Sequence, residues 1–161
     1  MSLTERAVLL ESIDRAYNRK SWHGTNLRGS IRGVDAREAA WRPEDGRHNI
    51  HEIVVHAAYW KYVVRRRLLD EKRGSFPLRG SDWFERPEGR VNISAWKRDI
   101  ALLDEIHQSL RAAIVRFPIE RLHESSGRGG HDNLGLIAGI AAHDVYHAGQ
   151  IQLLKRLQRS T

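Results

Sequence analysis

A chain of 161 residues is long enough for one domain with its own apolar core, and a single domain spanning residues 1–161 is expected. The 27 Lys and Arg outnumber the 20 Asp and Glu, and cysteine is absent, which excludes disulfides, thiolate metal ligands and a cysteine nucleophile. The apolar 40% recurs in periodic segments and not as one unbroken run, so neither a transmembrane helix nor a signal peptide is expected, and the protein reads as cytosolic.

In chain order, the first helix is predicted from about Leu3 to Arg19. Ser2 and Glu5 form a capping-box pattern at its start, and Leu10, Ile13 and Tyr17 form its apolar stripe. A long connection from Lys20 to His48 follows, with a short helix after Asp35, where Glu38 completes a second capping box. The second long helix starts at Asn49, again with a reciprocal glutamate at Glu52, and its seam carries Ile53, His56, Trp60 and Val63. Residues 74–91 hold Pro77, Pro87 and three glycines around Trp83 and Phe84, and read as a loop. The third long helix runs from Ile93 to Phe117 and stops before Pro118, because proline disfavours helical backbone in the residue before it. After the glycines of 127–130, the fourth covers Asn133 to Leu157. Four long amphipathic helices predict an all-α four-helix bundle with long loops, some of them candidates for a lid over a substrate.

The chemistry concentrates in the last helix. Positions 136, 140, 143, 147, 150, 154 and 157 read Leu, Ile, His, His, Gln, Leu, Leu, a core-type spacing interrupted by three polar residues. His143 and His147 are ~40° apart around the helix and ~6 Å along it, so their imidazoles can converge on one ion. His56, on the inward seam of the second helix, is the natural third ligand. Three neutral imidazoles with open coordination positions describe a catalytic metal site better than a structural one. The bland alternative is a pair of core histidines satisfied by Asp144, Gln150 or backbone.

Other histidines compete less well. His51 and His56 mimic a zinc-protease motif, yet a spacing of five places the rings ~140° apart, too far to share an ion. His48 and His51 are expected to face solvent at the helix start. His107 is either a fourth ligand or, more simply, a packed histidine; His23 sits in a loop, and His123 and His131 receive no role. Asp144, Gln150 and Glu52 are the candidates for orienting the ligating rings, since such histidines usually donate their other N–H to a carboxylate or carbonyl. The basic run Arg65, Arg66 and Arg67, with Lys72 and Arg73 behind it, lies late in a helix, where cations complement the macrodipole. No nucleic-acid motif accompanies it, so no specific nucleic-acid partner and no membrane partner are expected.

Trp22-His23-Gly24, Ala39-Ala40-Trp41-Arg42-Pro43, His56-Ala57-Ala58-Tyr59-Trp60-Lys61 and above all residues 143–151, HDVYHAGQI, resemble the DinB/YfiT-like superfamily over nearly the whole chain. The resemblance implies an up-down-down-up bundle, often a homodimer, with a divalent ion such as zinc or nickel on His56, His143 and His147. It also implies a small-molecule substrate. Relatives include thiol-dependent S-transferases and a maleylpyruvate isomerase, so the expected activity is metal-assisted transfer of a low-molecular-weight thiol to an electrophile. A metal-dependent hydrolase and a non-catalytic, stress-related binding or dimerisation module are the alternatives. The strong positive charge and the glycine loop at 127–130 depart from many relatives.

Overall fold

The computed structural model describes residues 5–86, 91–127 and 129–160, and over these the chain is all-helical. Six α-helices follow in order: α1 (Glu5–Tyr17), α2 (Leu27–Ser30), α3 (Ala36–Ala40), α4 (Ile50–Leu68), α5 (Ile93–Arg116) and α6 (Asn133–Gln158), with one 3-10 turn at Ile119–Arg121. The expected capping box of Ser2 and the start at Leu3 lie outside the described residues, as does Pro87. The other two boxes are present. Asp35 accepts from the Arg37 and Glu38 amides, and Asn49 accepts from the Glu52 amide while the Glu52 carboxylate returns to the Asn49 amide. Asn92 and Asp132 cap α5 and α6 in the simpler way, each accepting one amide of the first turn. The α2 turn escaped the sequence reading because four residues are too few to show a helical period.

α4 packs against α5 and α6, and α1 against α6 and α5, while α2 and α3 fill the sides of this assembly. The apolar contacts divide into two main groups. One gathers Ile53, Ala57, Leu103 and Ile151; the other gathers Leu9, Ile13, Leu110, Ile114, Ile137 and Ile140. Between them lies a polar layer to which each long helix contributes one buried residue: Tyr17, Lys61, His107 and Asp144. Lys61 Nζ donates to Asp144 Oδ2 with both side chains fully out of solvent. The ammonium also stands 4.9 Å from the centre of the Tyr17 ring, and that ring stacks on His107 at 3.5 Å. His107 is therefore a packed histidine, and burial beside Lys61 and Arg111 pushes its pKa down to about 2.

The expected seam of α6 holds at Ile140, His147 and Leu154 and is corrected by one residue at the positions between them. Its buried line is Ile137, Ile140, Asp144, His147, Ile151 and Leu154, a heptad pattern that places Leu136, His143 and Gln150 on the flank and Leu157 in solvent. Of the two polar residues on this line, Asp144 keeps its place through the ion pair of its Oδ2 with Lys61, while its buried Oδ1 has no partner among the described residues. A second correction concerns His51, which is buried and not solvent-facing: its Nε2 meets Asp99 Oδ2 at 2.7 Å, and Arg86 holds the same carboxylate through two hydrogen bonds.

Removing one member of the Lys61–Asp144 pair leaves the other buried without its counter-ion. Asp144→Ala is expected to lower the unfolding free energy by roughly 3 kcal/mol or more, and the double replacement Lys61→Met with Asp144→Leu to cost much less. Urea denaturation of these variants together with Lys61→Met and Asp144→Leu alone checks this, and simple additivity of the Lys61→Met and Asp144→Leu effects in the double variant would show the pair to be uncoupled.

Candidate metal centre

α4 and α6 face each other where His56 on one meets His143 and His147 on the other. The His56 Nε2 lies 3.2 Å from the His143 Nε2, and the His147 Nε2 lies 3.0 Å from that same atom. The three rings are the group among the described residues able to hold a metal ion, with their ligand atoms all within 4.8 Å of one another. Spacing alone kept His51 out of the group: five positions before His56, it points to α5 and Asp99, while His56 points to α6.

The far sides of two rings are tied to carbonyl oxygens. His56 Nδ1 donates to the Asp82 backbone oxygen at 2.9 Å, and His147 Nδ1 donates to the Gln150 side-chain oxygen at 2.7 Å. A carbonyl only accepts, so both rings carry their proton on Nδ1 and present a bare Nε2 lone pair to the centre. Burial disfavours a second proton on either ring. It also lowers His143 to about 3, helped by repulsion from His147, His56 and Lys61, and lowers His147 to about 4 against the opposing effect of Gln150. His56 is lowered by burial too, although Asp82 opposes the shift.

Neutral rings whose lone pairs converge lack a positive centre. A proton on His143 Nε2 satisfies one neighbour and leaves the other facing it, whereas a cation between the rings satisfies all three. Zinc–imidazole bonds of ~2.0 Å in a tetrahedral arrangement separate ligand nitrogens by about 3.3 Å, close to the two separations nearest His143. The donor set of uncharged nitrogen ligands suits a borderline divalent ion.

A loop completes the site. Asp82 adopts left-handed backbone with φ of 67°, a conformation that aspartate tolerates better than most residues. This turns its carbonyl onto His56, while its carboxylate accepts from the Trp60 indole N–H at 2.8 Å. The next residue, Trp83, is sandwiched between His56 at 3.8 Å and His48 at 3.5 Å. Asp82 and Trp83 were not among the expected site residues. The sequence places Trp83 and Phe84 in a Gly- and Pro-rich loop, and nothing in that pattern names His56 as the point where the loop docks.

Of the three residues expected to orient the rings, Gln150 does so, and it is held in turn by the Tyr146 hydroxyl at 3.1 Å. Asp144 is occupied by Lys61. Glu52 caps α4, pairs with Arg42 and reaches His48 Nδ1 at 3.1 Å, so it supports the ring that covers Trp83 and does not touch His56. His23 is exposed in the loop before α2 and lies against Ser21, away from the cluster.

Beside the cluster opens a pocket of about 700 Å³. Its walls are mainly apolar, with Ile53, Leu153, Leu154 and Leu157 prominent, and the Glu44–Arg47 ion pair and His48 add polar groups. Trp83 and Gln150 belong to both the pocket and the histidine surroundings. Gly127, Gly129 and Gly130 do not line it. Among the described residues no helix is long and apolar enough to cross a membrane.

The family model of the DinB superfamily matches residues 20–151, a span that contains all three histidines, Asp82, Trp83 and Gln150. Comparisons with curated proteins and with solved structures gave no significant match.

Low folded-state pKa values have a consequence for stability. In the unfolded chain His143 and His147 take up protons near the ordinary value of 6.5, while in the folded chain they do so only near 3 and 4. Between these limits the unfolded state binds more protons, so stability falls as pH drops below about 6.5. The urea midpoint of the metal-free protein is expected to fall between about pH 7 and about pH 5, and His143→Gln to flatten that fall. An identical pH slope in the variant would show that His143 is not held neutral by the fold.

Proposed function

The chain belongs to the DinB superfamily, and we propose that it is a divalent-metal-dependent enzyme of the thiol S-transferase type, with His56, His143 and His147 as ligands of one zinc or nickel ion. The observation that carries this reading is the convergence of three Nε2 atoms, two of them bare because their Nδ1 protons are spent on carbonyls. Three protein ligands leave room for a further one, the arrangement of a catalytic site.

When bound, the ion supplies Lewis-acid chemistry that makes a thiol or water available as its anion near neutral pH. The protein's own contribution is positioning and exclusion of water. Asp82 and Gln150 set the tautomers and the planes of His56 and His147. Trp83 covers one face of His56, and Glu52 with Arg42 steadies the His48 ring on its other side. The leucines of α6 and Ile53 offer an apolar wall for the body of an electrophile, adjacent to the histidines through Trp83 and Gln150.

The proposal also takes the four long helices as one four-helix bundle domain of up-down-down-up order. Cross-helix pairs support it. Arg6 with Phe117, Asp14 with Arg111 and Tyr17 with Asp104 run in opposite chain directions. His51 with Asp99 and Tyr62 beside Ile106 advance together, whereas Ile53 beside Gln150 and Lys61 with Asp144 run oppositely again.

His143→Ala and His147→Ala are each expected to abolish stoichiometric metal binding, read by elemental analysis of untagged protein, while circular dichroism stays helical because apolar packing supplies most of the stability. Full metal content in either variant would refute the ligand assignment. Gln150→Leu should bind the ion with an affinity reduced by about 10-fold or more, since it leaves His147 without its acceptor. For the reaction, metal-loaded protein is expected to form thioether from a low-molecular-weight thiol and an aryl halide, detected by mass spectrometry, and His147→Ala to form none. Metal-loaded protein that hydrolyses an ester substrate but forms no thioether would replace the transferase reading by the hydrolase one.

A further inference from the structure

The basic run at the end of α4 has a structural outcome separate from the metal centre. Its members are not equivalent. Arg65 is neutralised by Glu71 through two hydrogen bonds of 2.7 and 3.1 Å. Arg66 instead gives its Nη1 to the Glu71 backbone oxygen, and its buried Nε has no hydrogen-bond partner among the described residues. Past the helix end, the chain turns at Gly74 and Gly80, both with positive φ, and wraps back over α4. This brings Arg73 and Arg79 to the same place as Arg66, around a cavity of about 350 Å³.

No carboxylate lines that cavity, and no carboxylate among the described residues forms an ion pair with Arg73 or Arg79. Its inner wall is aromatic. Tyr59 and Tyr62 are buried on α4, and Phe76 packs against them at 5.3 and 5.4 Å between ring centres, which fixes the loop onto the helix. The Tyr62 hydroxyl accepts from the Gly74 amide at 3.2 Å, so the turn that carries Arg73 is tied to the aromatic wall. Three guanidinium groups without acidic neighbours repel one another unless an anion lies between them, and each presents the planar donor fork that matches a phosphate.

We propose that this cavity is a binding site for a small organic phosphate monoester, with the phosphate held by Arg66, Arg73 and Arg79 and the apolar body against Tyr59, Tyr62 and Phe76. A dianion matches three cations better than a monocarboxylate does, and the aromatic wall gives an ester an advantage over inorganic phosphate. The site lies on the opposite side of the 74–86 loop from the histidines: Gly80 and Ser81 border the cavity, and the next two residues, Asp82 and Trp83, contact His56. It does not depend on a metal at the histidines.

Isothermal titration calorimetry with phenyl phosphate, inorganic phosphate and phenol tests the assignment on the full chain. Phenyl phosphate is expected to bind saturably at one site per chain and about tenfold more tightly than either fragment. The loop double variant Arg73→Gln with Arg79→Gln, which alters exposed side chains only, should weaken it by about tenfold or more, and the surface control Arg98→Gln should leave it unchanged. Absence of saturable binding, or equal loss in the control, would overturn the proposal. Equal affinity for inorganic phosphate would overturn the ester assignment. Co-sedimentation with phosphatidic acid vesicles that is lost in the double variant, without binding of phenyl phosphate, would reassign the arginines to a lipid surface.

Discussion

Every polar group that α4 buries must find a partner on another element, and the positions of the loops follow from that requirement. Leaving such a group unpaired costs roughly 1–3 kcal/mol, and more when it is charged. α4 carries four of them on its inner surfaces: His51, Glu52, His56 and Lys61. His51 takes Asp99 of α5, and Arg86 joins them from the loop. Glu52 takes Arg42 and His48 from the connection before the helix. His56 takes the Asp82 carbonyl behind it and the α6 histidines in front, and Lys61 takes Asp144. One helix thus specifies where four other segments dock.

The histidine cluster is a place where this pairing is left incomplete by protein atoms among the described residues. Hydrogen bonds behind His56 and His147 consume the N–H groups that would otherwise have let the rings satisfy one another. Burial then keeps the rings neutral. Both effects hold bare nitrogen lone pairs within a few ångströms of each other in a region of low dielectric, a donor set that could hold a cation. The polar layer one step away makes the opposite choice, since Lys61 and Asp144 answer each other directly.

The segment between α4 and α5 is the most consequential loop in the molecule. On one side Asp82 and Trp83 hold His56 in its tautomer and cover its face. On the other, Arg73, Phe76 and Arg79 build a cationic cavity over the aromatic surface of α4. Phe76 and Phe84 anchor the loop at both ends of this stretch, packing on each other at 5.4 Å and on Tyr59. A rigid loop of this kind can place functional groups with the accuracy usually expected of helices.

What the sequence by itself determined was local. Capping residues at Asp35 and Asn49, the proline after Phe117 and the 3.6-residue period set the helices, and the spacing of His143 and His147 put two rings on one side of α6. The inward stripe of α4 was sufficient to single out His56. The tertiary structure decided everything that depends on which surface meets which: that the buried line of α6 runs through Asp144 and leaves His143 and Gln150 on its flank, that His51 is buried against Asp99, and that a loop aspartate more than twenty residues away orients His56. A heptad pattern with polar residues at adjacent registers is compatible with two seams about 50° apart, and only the partner helix selects between them. Loop docking is equally invisible to periodicity, because it is governed by the buried polar groups of another segment and not by the loop's own pattern.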